Sequence, residues 1–245
     1  MADNTPPMDE VDTVDIRPWP LIEIVGRTVV LASVARRGIL EVDGQRDLFD
    51  RETDRFDLHT WARTELQNWI EDRELALLAK PVGELDDDDL GACDDALVGA
   101  STLGWVISVV QCDHLPLPQD GVAEERVLQW APEPWGKVRQ LVTSARLRSE
   151  EALAGERERW ELWYWRATER PLAPGELQEV VDEVRSAGLI PIVDNDFATD
   201  DGRPFSRLDE HEQDDAAWLA ELRLRALNWA CGLADSWESA PLYPD

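Results

Sequence analysis

Beyond Pro20 the apolar positions fall into a helical rhythm. Val30, Val34 and Gly38, flanked by Leu31, Ala35 and Ile39, recur at three and four residues and predict a first helix. Leu58, Trp61, Leu66 and Trp69 predict a second, with Asp57 as its N-cap, and Pro81 and Gly83 then break the chain. Ala96, Ala100, Leu103, Ile107 and Val110 mark one side of the next helix, which must stop before Pro116 and Pro118. Val122 to Trp130 and Trp135 to Ala145 read as shorter helices separated by Pro132 and Pro134. A long helix follows over Glu151 to Thr168, another over Pro174 to Ala187 ended by Gly188, and a last from about Asp214 to Leu233. The last carries Trp218, Leu222, Ala226 and Trp229 on one face. Between the final two the period changes: Leu189 to Val193, a Gly/Asp-rich turn and Pro204-Phe205 predict a short irregular β-hairpin within 189–208.

These elements make the fold class mainly α: a single multi-helix domain over 17–245 with a Trp-rich core, preceded by a flexible acidic tail over 1–16. No internal repeat or long linker calls for a second domain. The chain holds 12 Trp against 4 Phe and 2 Tyr, and three of the Trp crowd with Tyr164 into Trp160-Glu161-Leu162-Trp163-Tyr164-Trp165-Arg166. Leu153, Trp160, Tyr164 and Ala167 form a core stripe there, while Leu162 and Trp165 fall on other faces. The end of this helix is therefore expected to be packed on more than one side.

Charge narrows the function classes. With 52 Asp+Glu against 24 Lys+Arg the formal net charge is −28, which argues against nucleic-acid binding because nothing displaces counterions from phosphate. Two explanations remain: a solvated acidic surface, as in adaptation to a salt-rich cytoplasm, or a surface that attracts a basic protein partner. Lys80 and Lys137 are the only lysines, so nearly all positive charge is arginine. The longest apolar run, Val106 to Val110, is too short to span a bilayer, and the N-terminal residues are acidic and polar, so a cytoplasmic location is expected. Cys93, Cys112 and Cys231 form no C-x-x-C pair and read as small core residues.

Most motif candidates fail on spacing. Asp86 to Asp89 stands where a helix N-terminus favours acids, which is the reading preferred over a metal site. Asp194-Asn195-Asp196 with Asp200-Asp201-Gly202 does not keep the register of a calcium loop and reads as an Asx-rich turn. Cys112-Asp113-His114 places a thiol near an imidazole without any sign of an activated thiolate, and His59 and His211 are isolated. No catalytic residue, metal ligand or cofactor is assigned. What remains is polar material among the tryptophans. Arg157 and Glu161 are spaced to pair, Arg166 can stack on an indole, and Glu221, Arg225 and Asn228 line one edge of the last helix. As a structural network these groups satisfy one another; as a site, Glu161, Trp165, Arg166, Arg225 and Asn228 are the ligand-binding candidates.

Several segments in order also carry a family resemblance. Lys80-Pro81-Val82-Gly83-Glu84-Leu85, Leu103-Gly104-Trp105, His114-Leu115-Pro116, the Glu161 to Arg166 string, and Arg225-Ala226-Leu227-Asn228-Trp229 with Cys231-Gly232 resemble the landmarks of the bacterial domain of unknown function 4272 family. The resemblance spans about Leu77 to Trp237 and implies a mainly helical single domain; it supplies no activity. One departure is Asp95-Ala96-Leu97-Val98, where the family pattern has a Trp-Arg-x-Glu segment, and this weakens an enzymatic reading. The expected function is thus that of a non-enzymatic intracellular acidic protein binding a basic partner, in the manner of an immunity or accessory protein. The alternative is an enzyme or small-ligand binder with a polar pocket between the long helix and the C-terminal one.

Overall fold

The computed structural model describes residues 15–116, 129–169 and 174–243. Among them the protein is mainly α, with eight helices: α1 Leu21–Val42, α2 Leu48–Glu65, α3 Asp72–Ala79, α4 Asp87–Val106, α5 Val138–Ser144, α6 Glu150–Thr168, α7 Pro174–Ala187 and α8 Glu210–Ala230. The expected acidic tail through residue 14, and most of the helix expected over Val122 to Trp130, lie outside the described residues.

Packing runs through three central contacts. α1 lies along α4, α4 touches α8, and α8 lies along α6, while α2, α3 and α5 cover the remaining sides of α1. α1 is buried from Ile24 to Ala35, which is why its apolar residues run together instead of forming a narrow stripe. Its interior hydroxyls need internal partners: Thr28 donates to the Ile24 carbonyl at 2.6 Å and Ser33 to that of Val29 at 2.7 Å. Among the described residues, no helix is long and apolar enough to cross a membrane.

Helix starts follow local chemistry. The Asp86 side chain accepts from the Asp89 amide at 2.9 Å, closing a capping box, so the acid run is the N-terminus of α4 as read from sequence. Ser149 caps α6 by a single bond, its hydroxyl oxygen accepting from the Ala152 amide at 3.2 Å. α2 departs from expectation: its cap is Asp47, ten residues before Asp57, and Leu66 and Trp69 lie in the turn that follows it. Its first half is exposed, with Phe49 at 80% and Phe56 at 59%, so no buried stripe marks it in the sequence. α8 also begins earlier than expected, at Glu210 capped by Asp209, and Trp218 is exposed.

α4 ends at Val106, short of the expected Ile107 and Val110, because Ser108 turns the chain at φ 58° and the Val109 and Val110 amides fold back onto the Gly104 carbonyl. Arg148 fixes this end. It lies 4.2 Å over the Trp105 ring and donates to the carbonyls of Trp105 and Cys112, each at 2.8 Å. The expected hairpin is present as β1, Ile192–Val193, paired antiparallel with β2, Asp196–Phe197, around Asp194 and Asn195 at positive φ. It docks on α6 through Trp163, which meets Phe197 edge-on at 5.4 Å and Phe205 at 6.2 Å.

Candidate functional site

The expected site residues separate into three places. Arg157 donates to Asn228 at 2.7 Å and to Glu161 at 3.0 Å, and Asn228 passes its own amide protons to the carbonyls of Pro241 and Leu242. This group ties α6, α8 and the C-terminal segment together, and its hydrogen bonds are largely consumed internally. Arg166 instead forms a two-point bond to Asp196 of β2 at 2.8 and 2.9 Å, with its guanidinium 4.5 Å over Phe205 and not over an indole. Arg225 is exposed, pairs with Glu221 at 3.0 Å and lines a cleft on the α4 side of α8. Trp165 is half-buried.

A second ionic node was not foreseen. Glu156, 2% exposed, accepts from the Leu115 amide at 3.0 Å, Arg159 at 3.0 Å and the Trp160 indole at 2.9 Å, and meets His114 Nδ1 at 2.8 Å. His114 is thus engaged by a carboxylate and not by the Cys112 thiol, which burial pushes above the ordinary range. The Cys93 and Cys231 thiols are buried and raised to about 12. None of the three is an activated nucleophile.

Elsewhere the same device recurs. Arg37, inside α1, bonds Glu41 at 2.8 Å and the carbonyls of Lys80 and Pro81 at 3.1 and 2.9 Å, while Glu41 accepts from the Leu85 amide at 3.1 Å. Arg27 bonds Glu74 of α3 and the Trp69 carbonyl. Two segments, Lys80 to Leu85 and His114 to Pro116, are loops whose backbone is gripped by charged side chains from the helices. The sequence signal was available in retrospect: Arg27 and Arg37 interrupt the long apolar run of α1, where only a buried partner would make them tolerable.

Burial sorts the charges by sign. Among the described residues six arginines are buried (Arg27, Arg37, Arg157, Arg159, Arg166, Arg223) against three acids (Glu74, Glu156, Asp196). The exposed surface is therefore more negative than the chain total implies. Along the outside of α2, Phe49, Thr53 and Phe56 follow one another at helical spacing, with Asp50, Asp54 and Asp57 beside them. Arg51 and Arg55 turn away from this face: Arg51 donates to the Leu40 and Glu41 carbonyls, and Arg55 bonds Glu52 and the Ala79 carbonyl. Arg46 pairs with Asp54 at 2.6 Å.

Two hollows share Trp237 as a wall. The larger, about 550 Å³, has Leu31, Val34, Ala96 and Gly99 in its floor and the Lys80–Asp89 pair and Arg225 at its edge. The smaller, about 180 Å³, is walled by Trp19, Trp69, Trp229 and Trp237. Trp19 stacks on Trp229 at 6.1 Å and 20°, and Trp237 meets Trp229 edge-on at 5.6 Å. Trp69 donates to Glu23 at 2.9 Å, and Arg27 lies 4.8 Å over the Trp237 ring. Burial raises the Glu71 carboxyl at this rim above its ordinary value, against the opposing pull of Arg27. Among the described residues no group of acids, histidines or cysteines is arranged to hold a metal ion. Comparison with protein-family models, with curated proteins and with solved structures finds no match to this chain.

Proposed function

We propose that this protein is an acidic binding protein that docks a basic, amphipathic segment of a protein partner on the outer face of α2, in the manner of an immunity or accessory protein. The observation that carries this reading is the Phe49–Thr53–Phe56 stripe flanked by Asp50, Asp54 and Asp57. Exposed phenylalanines on a short helix face are costly to leave in water, and a partner with apolar anchors and basic flanks would cover both features at once. Arg51 and Arg55 turn inward, and the Arg46 charge beside this face is balanced by Asp54, which leaves Asp50 and Asp57 to attract such a segment. An intracellular setting and kinship with the domain of unknown function 4272 family accord with this reading as further proposals.

The test is fluorescence anisotropy with a labelled lysine- and leucine-rich helical peptide and a scrambled peptide of equal charge. Binding to the wild type should weaken about tenfold when Phe49 and Phe56 are both replaced by Ala, and weaken steadily as salt shortens the Debye length from about 10 Å at 0.1 M. Equal binding of both peptides, or indifference to the double variant, would sink the α2 assignment.

The ligand-binding alternative draws its support from a different place than the α6–α8 interface. Arg157, Glu161 and Asn228 are committed to one another, whereas Arg225 borders the 550 Å³ cleft.

A further inference from the structure

We infer that the hollow between Trp19, Trp69, Trp229 and Trp237 is a binding site for an alkylated ammonium group. The inference stands apart from the α2 surface and does not depend on it. Three features carry it. First, four indoles converge on about 180 Å³, a space below the roughly 300–1,000 Å³ of drug-sized pockets and suited to a compact head group. Second, the aromatic walls are held in place before any ligand arrives. The Arg17 and Trp19 amides donate to the Cys231 and Ala230 carbonyls at 2.8 and 3.2 Å, which lays Trp19 on Trp229, and Glu23 holds the Trp69 indole. Walls set in advance cost little ordering on binding.

Third, the charge around the hollow is negative. Arg27 is the cation already among the indoles, and its charge is matched by the two-point bond to Glu74. Glu23, Glu71 and Asp235 also line the site, and Arg73 pairs with Glu71 at 3.1 Å from the outside. Asp235 is exposed. Indole faces and carboxylates together favour a cation. An alkylated ammonium fits better than a bare one, because its methyl groups lose little hydration when they meet the rings. A bare ammonium would have to give up strong water contacts, and of the lining carboxylates Glu23 is already engaged by Trp69 and Glu71 by Arg73.

Isothermal titration of the full chain with tetramethylammonium chloride and choline, against the neutral carbon isostere 3,3-dimethylbutan-1-ol, tests the site. The cations should bind about tenfold or more tightly than the isostere. Asp235→Asn, at an exposed position, should weaken cation binding several-fold while leaving the melting temperature unchanged, and Trp237→Leu should abolish it. A short peptide bearing trimethyllysine, compared with choline, distinguishes a partner's side chain from a free small cation as the source of the group. Equal affinity for the neutral isostere, absence of cation binding by the folded wild type, or indifference to both variants would overturn the inference.

Discussion

The guanidinium of Arg223 lies 4.4 Å over the ring of Trp160, and both side chains are fully buried. Arg223 donates to the Pro116 carbonyl, but among the described residues its Nε and its second terminal nitrogen have no hydrogen-bond partner. Burial pushes its pKa down to about 9, and the neighbouring Arg159 adds to the effect against the pull of Glu156. At neutral pH the group is still charged, so the fold carries a cation that the indole only partly compensates.

Replacing Arg223 with Met should therefore leave stability unchanged or raise it, by up to roughly 2 kcal/mol, since a desolvated, incompletely bonded charge is removed and an apolar chain of similar length fills the space. The sign of the pH dependence follows from the lowered pKa. Below about pH 9 the group is charged in both states and the penalty is complete; above it the folded state releases the proton before the unfolded chain does, so folding gains. The difference in urea unfolding free energy, wild type minus R223M, should be flat between pH 6 and 8 and rise above about pH 9. A large loss of stability in R223M would show that the Pro116 and Trp160 contacts outweigh desolvation.

Asp196 makes the opposite contribution, because its charged form stabilises the fold. Burial alone would raise its carboxyl, but the bonds and charge of Arg166, with the Ser206 and Phe197 amides, bring it below the ordinary value. Its contribution is complete above the unfolded aspartate pKa of about 3.9 and is lost as pH falls through the lower folded value. Asp196→Asn should cost about 3–5 kcal/mol at pH 7, because it leaves Arg166 buried without a counter-charge. That gap should close as the wild type is acidified below about pH 4. Unfolding curves for both proteins at pH 7 and pH 3 measure it; a gap that does not shrink would remove the pair from the acid response.

Gly232 has φ 77°, and a Cβ there would lie 2.1 Å from the Arg17 carbonyl oxygen. Gly232→Ala should thus displace the Arg17–Trp19 segment in addition to straining its own backbone, and Trp19 should leave Trp229. Gly202 has the same φ with open space around it, so Gly202→Ala isolates the strain, about 1–3 kcal/mol for a non-glycine residue in this region. The expected result is a larger drop in melting temperature for G232A than for G202A, with increased acrylamide quenching of Trp fluorescence only in G232A. Equal drops and unchanged quenching would mean that the segment is not held at this point.

Much of the helical framework was legible because apolar spacing reports burial. Pro174–Ala187 was read to the residue, the acid run at the start of α4 followed from the preference of a helix N-terminus for acids, and the Arg157–Glu161 pair from i,i+4 geometry. α2 was misplaced at its start because Phe49 and Phe56 face solvent, so the periodic signal began only at Leu58. The candidate residues were Trp165 and four polar groups near tryptophans, but periodicity cannot tell which of two neighbouring elements a side chain meets. Arg166 was expected over an indole; it reaches 30 positions along the chain to Asp196.

The sequence by itself determined the helical class, the site of the hairpin, the excess of acid and the abundance of tryptophan, since each depends on local propensity, short-range period or simple composition. Only the tertiary structure decided which arginines went inside, that Glu156 and Glu74 would meet them, and that Trp19, Trp69, Trp229 and Trp237 would close on one hollow. The physical reason is separation along the chain. Trp19 and Trp229 stack across 210 positions, and no local rule carries the free energy that joins them; it comes from burying apolar surface and pairing charge once the helices have packed.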